Sequence, residues 1–236
     1  MIPLRDANPT RRTPIVTLAI VLACCVAFAW ELGLSAGSGD VALNGLFVDW
    51  GVVPARLVAA WGRGDFLSAD TATLVTSQFL HGGWLHLLGN VLYLWIFGNN
   101  VEDRLGRLRF LLFYLVGGIV AALAQVAVDP TSGAPTIGAS GAIAATLGAY
   151  LVLFPRARVT SLIFLGFFYQ LLNIPAVVVL GFWFVLQLVD GFASLGVAQS
   201  GGVAFFAHIG GFVLGVLVGF AVKHGAVGPV GRPGVG

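Results

Sequence analysis

The stretch PTIGASGAIAA, residues 135–145, places one serine among small residues at the start of a long apolar segment. A lone serine in such a segment usually serves helix packing, so its meaning depends on its polar neighbours in space. His86, Asn90 and His208 are the relevant candidates, because each also lies near the start of an apolar segment. Ser140 and these three residues are therefore the candidate functional residues.

The composition identifies the class of protein. The chain has 236 residues, of which 58% are hydrophobic and 9% are charged, whereas a soluble domain carries about 25% charged residues. This predicts a polytopic membrane protein with one compact bundle. Cys24 and Cys25 are adjacent within an apolar run and do not suggest a disulfide. The chain has no basic patch beyond short loops, so nucleic acid is excluded as a partner.

The apolar segments predict an all-α membrane domain over 14–223, with a cytoplasmic N-terminal tail at 1–13 and a flexible cytoplasmic C-terminal tail at 224–236. We expect a long interfacial loop at 35–80, between the first and second spans. Residues 159–172 are expected to form an interfacial or partly inserted approach to the fifth span. The six predicted spans are 15–34, 84–98, 110–128, 138–154, 176–193 and 204–223.

The lysine and arginine residues test this topology. With the N-terminus inside, ten of them lie in inner segments and only two, Arg56 and Arg63, lie in outer ones. This is the bias that the positive-inside rule predicts. Glu102 and Arg104, in the loop after the second span, are expected to brace that loop through an ion pair or through hydrogen bonds to backbone. The ten inner residues are Arg5, Arg11, Arg12, Arg104, Arg107, Arg109, Arg156, Arg158, Lys223 and Arg232.

The topology brings the four polar residues to one depth. The second, fourth and sixth spans all run from outside to inside, and the four side chains lie within about 10 Å of their outer ends. His86 and Asn90 are spaced i, i+4 and share a helix face. Small residues every four positions predict close approach of the fourth and sixth spans, with Ser140 near His208. These rows are Gly141, Ala145 and Ala149; Ser140, Ala144 and Gly148; and Gly211, Gly215 and Gly219.

This set of residues predicts acyl-transfer chemistry. A serine hydroxyl becomes nucleophilic when an adjacent histidine takes its proton. The oxyanion of the tetrahedral intermediate needs donors, which the Asn90 amide, the His86 ring and the Ser140 backbone N–H offer. Because no acidic residue neighbours His208 in sequence, we expect a Ser–His dyad rather than a triad. Gln187 and Asp190, in the fifth span, receive no assignment beyond helix–helix hydrogen bonding.

The chain resembles the rhomboid family of intramembrane serine proteases over about 45–223. The resemblance is carried by four motifs in order, and the order and spacing of the motifs match the family as well as their residues. Each motif alone is weak, whereas the four together are highly specific. They are His81-Gly-Gly-Trp-Leu-His86-Leu-Leu-Gly-Asn90, Val101-Glu102-Asp103-Arg104, Gly138-Ala139-Ser140-Gly141, and Ala207-His208-Ile209-Gly210-Gly211 with Gly215.

The resemblance implies a bacterial-type, six-span endopeptidase that cleaves transmembrane segments, with Ser140 as nucleophile and His208 as general base. His86 and Asn90 would stabilise the oxyanion. The fifth span would be a lateral gate, and substrates would carry small residues near the cut in a helix-destabilised segment. The resemblance implies no metal or cofactor. It also implies the plasma or inner membrane, both termini cytoplasmic and the active site toward the outer side; the oligomeric state stays open.

One position departs from the family pattern. Some members carry an aromatic residue four positions after the nucleophile, packed against the catalytic histidine, where this chain has Ala144. We expect Phe205 or Phe206 to support His208 instead.

Three other functions stay open. The first is a catalytically silent rhomboid-like protein that binds transmembrane clients, which Ala144 favours weakly and the presence of Ser140 and His208 disfavours. The second is a transporter or channel, which would need polar residues deep in several spans. The third is a metal site built from His81, His86 and His208, although asparagine is a poor partner for zinc. The structural alternative for His81 and His86 is that they are histidines at the membrane interface.

Overall fold

The computed structural model describes residues 1–165, 168–194 and 204–225. The predicted C-terminal tail lies outside the described residues from residue 226 onward. The strands are β1 (Ile2–Asp6), β2 (Arg158–Leu165) and β3 (Phe168–Pro175). The helices are α1 (Ile15–Trp50), α2 (Pro54–Gly62), α3 (Ala69–Thr76), α4 (Trp84–Tyr93), α5 (Asn99–Leu105), α6 (Arg107–Val128), α7 (Ser140–Leu153), α8 (Ala176–Ser194) and α9 (Phe205–Lys223).

The described residues contain four helices that are long and apolar enough to cross a membrane, namely α1, α6, α8 and α9. α7 is apolar but has only 14 residues. The predicted second span consists of α4, a π-helical segment at Leu94–Gly98 and α5, joined through residues in helical conformation. The prediction of a mostly helical membrane fold is confirmed, whereas the count of six spans stays a prediction.

Helix α1 extends beyond the predicted end of the first span. It continues to Trp50 but is interrupted at Gly39, whose φ of 77° and ψ of 178° are not helical. The rings of Trp30 and Trp50 lie 6.1 Å apart, although 20 residues of straight helix would span about 30 Å. The chain therefore reverses near Gly39. The stretch predicted as one long loop, 35–80, contains the second arm of α1, α2, α3 and a 3-10 turn at Ser77–Phe79.

Helix α7 is the central helix of the bundle. Its residues from Gly141 to Tyr150 are all buried, which explains why the helix is apolar on every side. On α9, Gly211 and Gly215 lie directly against the backbone carbonyl oxygens of Gly141 and Ala145, where a Cβ atom would not fit. The predicted close approach of these two helices through small residues is confirmed.

Glu102 of α5 holds the N-terminus of α1. Its carboxylate accepts hydrogen bonds from the backbone N–H groups of Val16, at 3.0 Å, and Thr17, at 2.8 Å. The Thr17 hydroxyl donates a third bond at 2.8 Å. A negative charge is favourable at a helix N-terminus because the first N–H groups have no partner within the helix. Of the two expected structural roles of Glu102, the described residues show the hydrogen bonds to backbone.

The all-α prediction holds for the bundle but not for the segment between α7 and α8. β2 and β3 pair in antiparallel fashion, and together they contain the described residues of the stretch 159–172 that was predicted as an interfacial approach. β1 from the N-terminal tail pairs with β2, giving the order β1-β2-β3. The Asp6 carboxylate accepts hydrogen bonds from the Tyr150 hydroxyl and the Asn100 amide, both at 2.7 Å. The first residues of the chain are therefore attached to the bundle.

Candidate active site

Ser140 is the first residue of α7, and the segment before it is held in place by the region that follows α1. Val52 and Thr136 exchange two backbone hydrogen bonds of 3.0 and 2.8 Å, and the Gly138 N–H donates to the Ser77 carbonyl at 2.8 Å. Gly138 has a φ of +119°, and a Cβ atom there would lie 2.7 Å from Cε1 of His86. Only glycine satisfies both restrictions. Gly138, the first glycine of the Gly-x-Ser-Gly motif, is therefore required by the backbone conformation and by the close contact with His86.

The hydroxyl of Ser140 and the ring of His208 are hydrogen-bond partners. Ser140 Oγ lies 2.7 Å from His208 Nε2, across the close contact between α7 and α9. His208 is buried, with 9% of its surface exposed. The predicted proximity of these two residues is confirmed, and 2.7 Å is a normal length for a hydroxyl hydrogen bond. A serine and a histidine at this distance have the geometry of a nucleophile with its base.

The other ring nitrogen of His208 contacts a residue that the sequence left unassigned. His208 Nδ1 lies 2.7 Å from Oε1 of Gln187 on α8. One turn earlier on the same helix, the Trp183 ring lies 5.9 Å from the His208 ring. The expectation that Phe205 or Phe206 would support the histidine is wrong, because among the described residues the aromatic ring next to His208 is Trp183 of α8. The i, i+4 spacing of Trp183 and Gln187 places both residues on one face of α8, but the spacing alone does not tell which helix that face meets.

His86 and Asn90 lie on α4, next to Gly138 in the segment that precedes Ser140. A Cβ atom on Gly138 would meet both side chains, with Asn90 Nδ2 at 3.8 Å. Asn90 Nδ2 is buried and has no hydrogen-bond partner among the described residues. A buried amide donor without a partner is available for an acceptor on a bound ligand.

These four predicted site residues line one cavity. It has a volume of about 990 Å³, and its walls include His86, Asn90, Ser140 and His208 together with Trp183. The cavity is large enough for several residues of a bound peptide, since small-molecule pockets are typically about 300–1,000 Å³. The prediction that three helices bring these side chains to one place is confirmed. Their chemical roles stay predictions.

His81 is not an interface histidine. Only 1% of its surface is exposed, and its backbone N–H donates to the buried carboxylate of Glu31 at 3.0 and 3.3 Å. Its ring lies 5.1 Å from the ring of His86 and bonds to the Phe79 carbonyl through Nδ1 at 3.0 Å. Within the described parts of the chain, no cluster of three or more histidine, cysteine or acidic side chains suits a metal ion.

The fold and the cavity together define a class: a helical membrane protein with a serine–histidine pair in its interior. Sequence comparison gives the family. The Rhomboid domain model matches residues 68–225, which is most of the chain and includes His81, His86, Asn90, Ser140 and His208. This protein belongs to the Rhomboid family and is a multi-pass membrane protein.

Several relatives are named as proteases. The chain is 36% identical over 158 residues to the Bacillus subtilis protein named Rhomboid protease GluP, which covers 66% of this chain and 27% of that protein. It is 36% identical over 157 residues to Rhomboid-like protease 5 of Toxoplasma gondii, covering 63% of this chain and 16% of that protein. Presenilin-associated rhomboid-like protein A, mitochondrial, of Danio rerio is 31% identical over 148 residues, covering 59% and 38%. The chain thus matches less than half the length of these relatives.

Proposed function

We propose that this protein is an intramembrane serine endopeptidase that cleaves transmembrane segments of other membrane proteins. The observation that carries the proposal is the 2.7 Å contact between Ser140 Oγ and His208 Nε2, at the wall of a cavity formed by helices of a Rhomboid domain. The protease names of several relatives support the reaction class. The catalytic pair lies among apolar helices, so the peptide bond that reaches it belongs to a membrane-embedded segment.

In the proposed reaction, Ser140 Oγ attacks the carbonyl carbon of the scissile bond while His208 Nε2 takes the hydroxyl proton. The oxyanion accepts hydrogen bonds from the Asn90 amide, which is free among the described residues, from the His86 ring and from the Ser140 backbone N–H at the start of α7. The intermediate collapses as His208 returns the proton to the leaving amine. Water, deprotonated by the same ring, then attacks the acyl-serine, and the protonated His208 restores the Ser140 hydroxyl.

The substrate is proposed to be a transmembrane helix with a destabilised segment and small residues near the cut. A regular helix buries its carbonyl groups in intrahelical hydrogen bonds, so the backbone must be opened before Ser140 can reach a carbonyl carbon. The chain is proposed to lie in the plasma or inner membrane, with both termini in the cytoplasm and the cavity toward the outer side. The charge bias of ten to two supports this orientation.

The test is cleavage of single-span reporter proteins in liposomes by purified wild-type protein, Ser140→Ala and His208→Ala. The reporters carry small residues beside a central glycine or proline in their transmembrane segment. Ser161→Ala and His224→Ala are matched controls, because they remove the same side chains from β2 and from the end of α9. We expect two fragments with wild type and both controls, and none with the two site variants.

Other outcomes have distinct meanings. Cleavage by Ser140→Ala at the wild-type rate would place the nucleophile elsewhere and contradict the dyad. A folded wild-type protein that binds the reporters without cleaving them would favour the alternative function, a silent protein that binds transmembrane clients.

A further inference from the structure

Gln187 is one of the few polar side chains of the apolar helix α8, and its amide oxygen lies 2.7 Å from the His208 ring. Oε1 of Gln187, the two ring nitrogens of His208 and Oγ of Ser140 form a continuous chain of two hydrogen bonds, each 2.7 Å long. α8, α9 and α7 contribute one member each. We infer that Gln187 is a positioning residue that holds the His208 ring in the tautomer and orientation needed to activate Ser140. This inference rests on the proposed function.

The chemistry of the amide oxygen gives the direction of the effect. A carbonyl oxygen only accepts hydrogen bonds, so its partner Nδ1 must carry the ring proton. In the neutral ring, the proton on Nδ1 leaves a lone pair on Nε2, which is the atom that faces Ser140 Oγ. Without the amide, the ring is free to place its proton on Nε2, and that nitrogen then cannot take the hydroxyl proton. Gln187 thus selects the form of His208 that can act as a base.

The residues around His208 explain why a residue of α8 orients its ring. On α7 the position one turn after Ser140 is Ala144, which offers no ring against the histidine. Trp183 packs on His208 from α8, and the same indole ring lies 6.0 Å from the Phe212 ring of α9. Phe184 stacks on Phe212 at 4.3 Å. The aromatic contacts fix α8 against α9, and Gln187 adds the directional bond that aromatic packing cannot supply.

The test compares three variants of the full-length protein with wild type in the liposome cleavage assay. Gln187→Met keeps the length of the side chain and removes the acceptor, and Gln187→Glu keeps an acceptor. Val189→Met is the matched control, because it places the same new side chain on the exposed face of α8, where Val189 is 58% exposed. For Gln187→Met we expect a loss of about 10- to 100-fold in kcat with KM little changed, the pattern of an interaction that acts on the chemical step. Gln187→Glu should retain most of the activity, and Val189→Met all of it.

A second readout does not depend on activity. In ¹⁵N NMR of histidine-labelled protein, the His208 signals are identified by their absence in His208→Ala. We expect the proton on Nδ1 in wild type and in Val189→Met, and a shift toward Nε2 in Gln187→Met. A merely structural role of Gln187 would lower thermal stability without changing the tautomer of the folded protein.

The outcomes separate the inference from the proposed function. Unchanged kcat and unchanged tautomer in Gln187→Met, with Ser140→Ala inactive, would overturn the positioning role and leave the protease intact. Activity in Ser140→Ala would overturn the proposed function itself. If Gln187→Met does not fold, Gln187→Asn, which keeps the amide but is too short to reach Nδ1, replaces it with the same expected loss.

Discussion

The contact between α7 and α9 sets the distance between Ser140 and His208, so a single methyl group in that contact should disable the site. Gly211 lies three residues after His208 and faces the backbone of Gly141, the residue after Ser140. A Cβ atom on Gly211 would overlap the Gly141 carbonyl oxygen and lie 3.2 Å from its carbonyl carbon. Ordinary C···O contacts are about 3.3 Å or longer. To bring the new Cβ atom and the Gly141 carbonyl oxygen to that distance, α7 and α9 must separate by about 1 Å.

This separation acts directly on the hydrogen bond. The Ser140–His208 distance of 2.7 Å would increase to about 3.7 Å, which is beyond hydrogen-bond range. For Gly211→Ala we therefore expect a loss of about 100-fold in activity, together with about 1–3 kcal/mol of stability from overpacking. Reporter cleavage and thermal unfolding in detergent measure the two effects.

Gly181→Ala is the matched control for this experiment. Gly181 also lies in a membrane helix, α8, but a Cβ atom there would meet nothing within 4 Å. We expect wild-type activity and stability from this variant. If Gly211→Ala were as active as wild type, the close packing of α7 and α9 would not control the geometry of the site.

Three further predictions concern residues around the bundle. Asn90→Ala should lower kcat by about 100- to 1,000-fold with little change in stability, because it removes one donor to the oxyanion; steady-state cleavage measures this. Glu102→Ala should lower the free energy of unfolding by about 2–4 kcal/mol, because the N–H groups of Val16 and Thr17 lose a charged acceptor, and thermal unfolding measures the loss. Burial raises the pKa of Asp6 in the folded protein above its ordinary value of about 3.9. The contribution of Asp6 to stability should therefore be complete below the ordinary pKa and decline as the pH rises through the higher folded-state pKa. Asp6→Asn should remove this decline, which unfolding curves recorded across pH measure.

Each of these predictions has its own control and its own contradiction. The control for Asn90→Ala is Asn173→Ala in β3, for which we expect an unchanged kcat. An equal loss of kcat in both variants would reject the role of Asn90 as a donor to the oxyanion. For Glu102, Asp103→Asn removes the neighbouring charge; if it is as destabilising as Glu102→Ala, the cap on α1 is not the cause. For Asp6, parallel pH curves of wild type and Asp6→Asn would mean that this carboxyl does not set the dependence.

The site was largely predictable because its residues follow from spacing and direction. Once the second, fourth and sixth spans run the same way, His86, Ser140 and His208 must share one depth, and the small residues of α7 and α9 require those helices to touch. The role assigned here to Gln187 was not predictable, since it depends on how α8 is rotated about its axis. Trp183 and Gln187 share a face by spacing, but nothing in the sequence says which helix that face meets.

The fold was less predictable where apolar runs lack a clear period. Residues 158–175 are mostly apolar, and such a run fits a strand or a membrane segment equally well. β2 is a strand that pairs with β1 of the polar N-terminal tail, and this pairing, which favours the strand over a membrane segment, joins residues about 155 positions apart in the sequence. The first arm of α1 passes the predicted end of the first span by a few residues and stops at the reversal at Gly39; the mixed composition after residue 34 did not reveal the second helical arm, which continues to Trp50.

Mass spectrometry of the protein after reaction with a fluorophosphonate probe in detergent shows whether Ser140 is a nucleophile activated by His208. Such a probe forms a covalent bond with an activated serine. We expect one adduct in wild type, on the peptide that contains Ser140, with no adduct in Ser140→Ala and a strongly reduced one in His208→Ala. An adduct on another serine, or equal labelling of all three proteins, would contradict the role of Ser140 as the activated nucleophile.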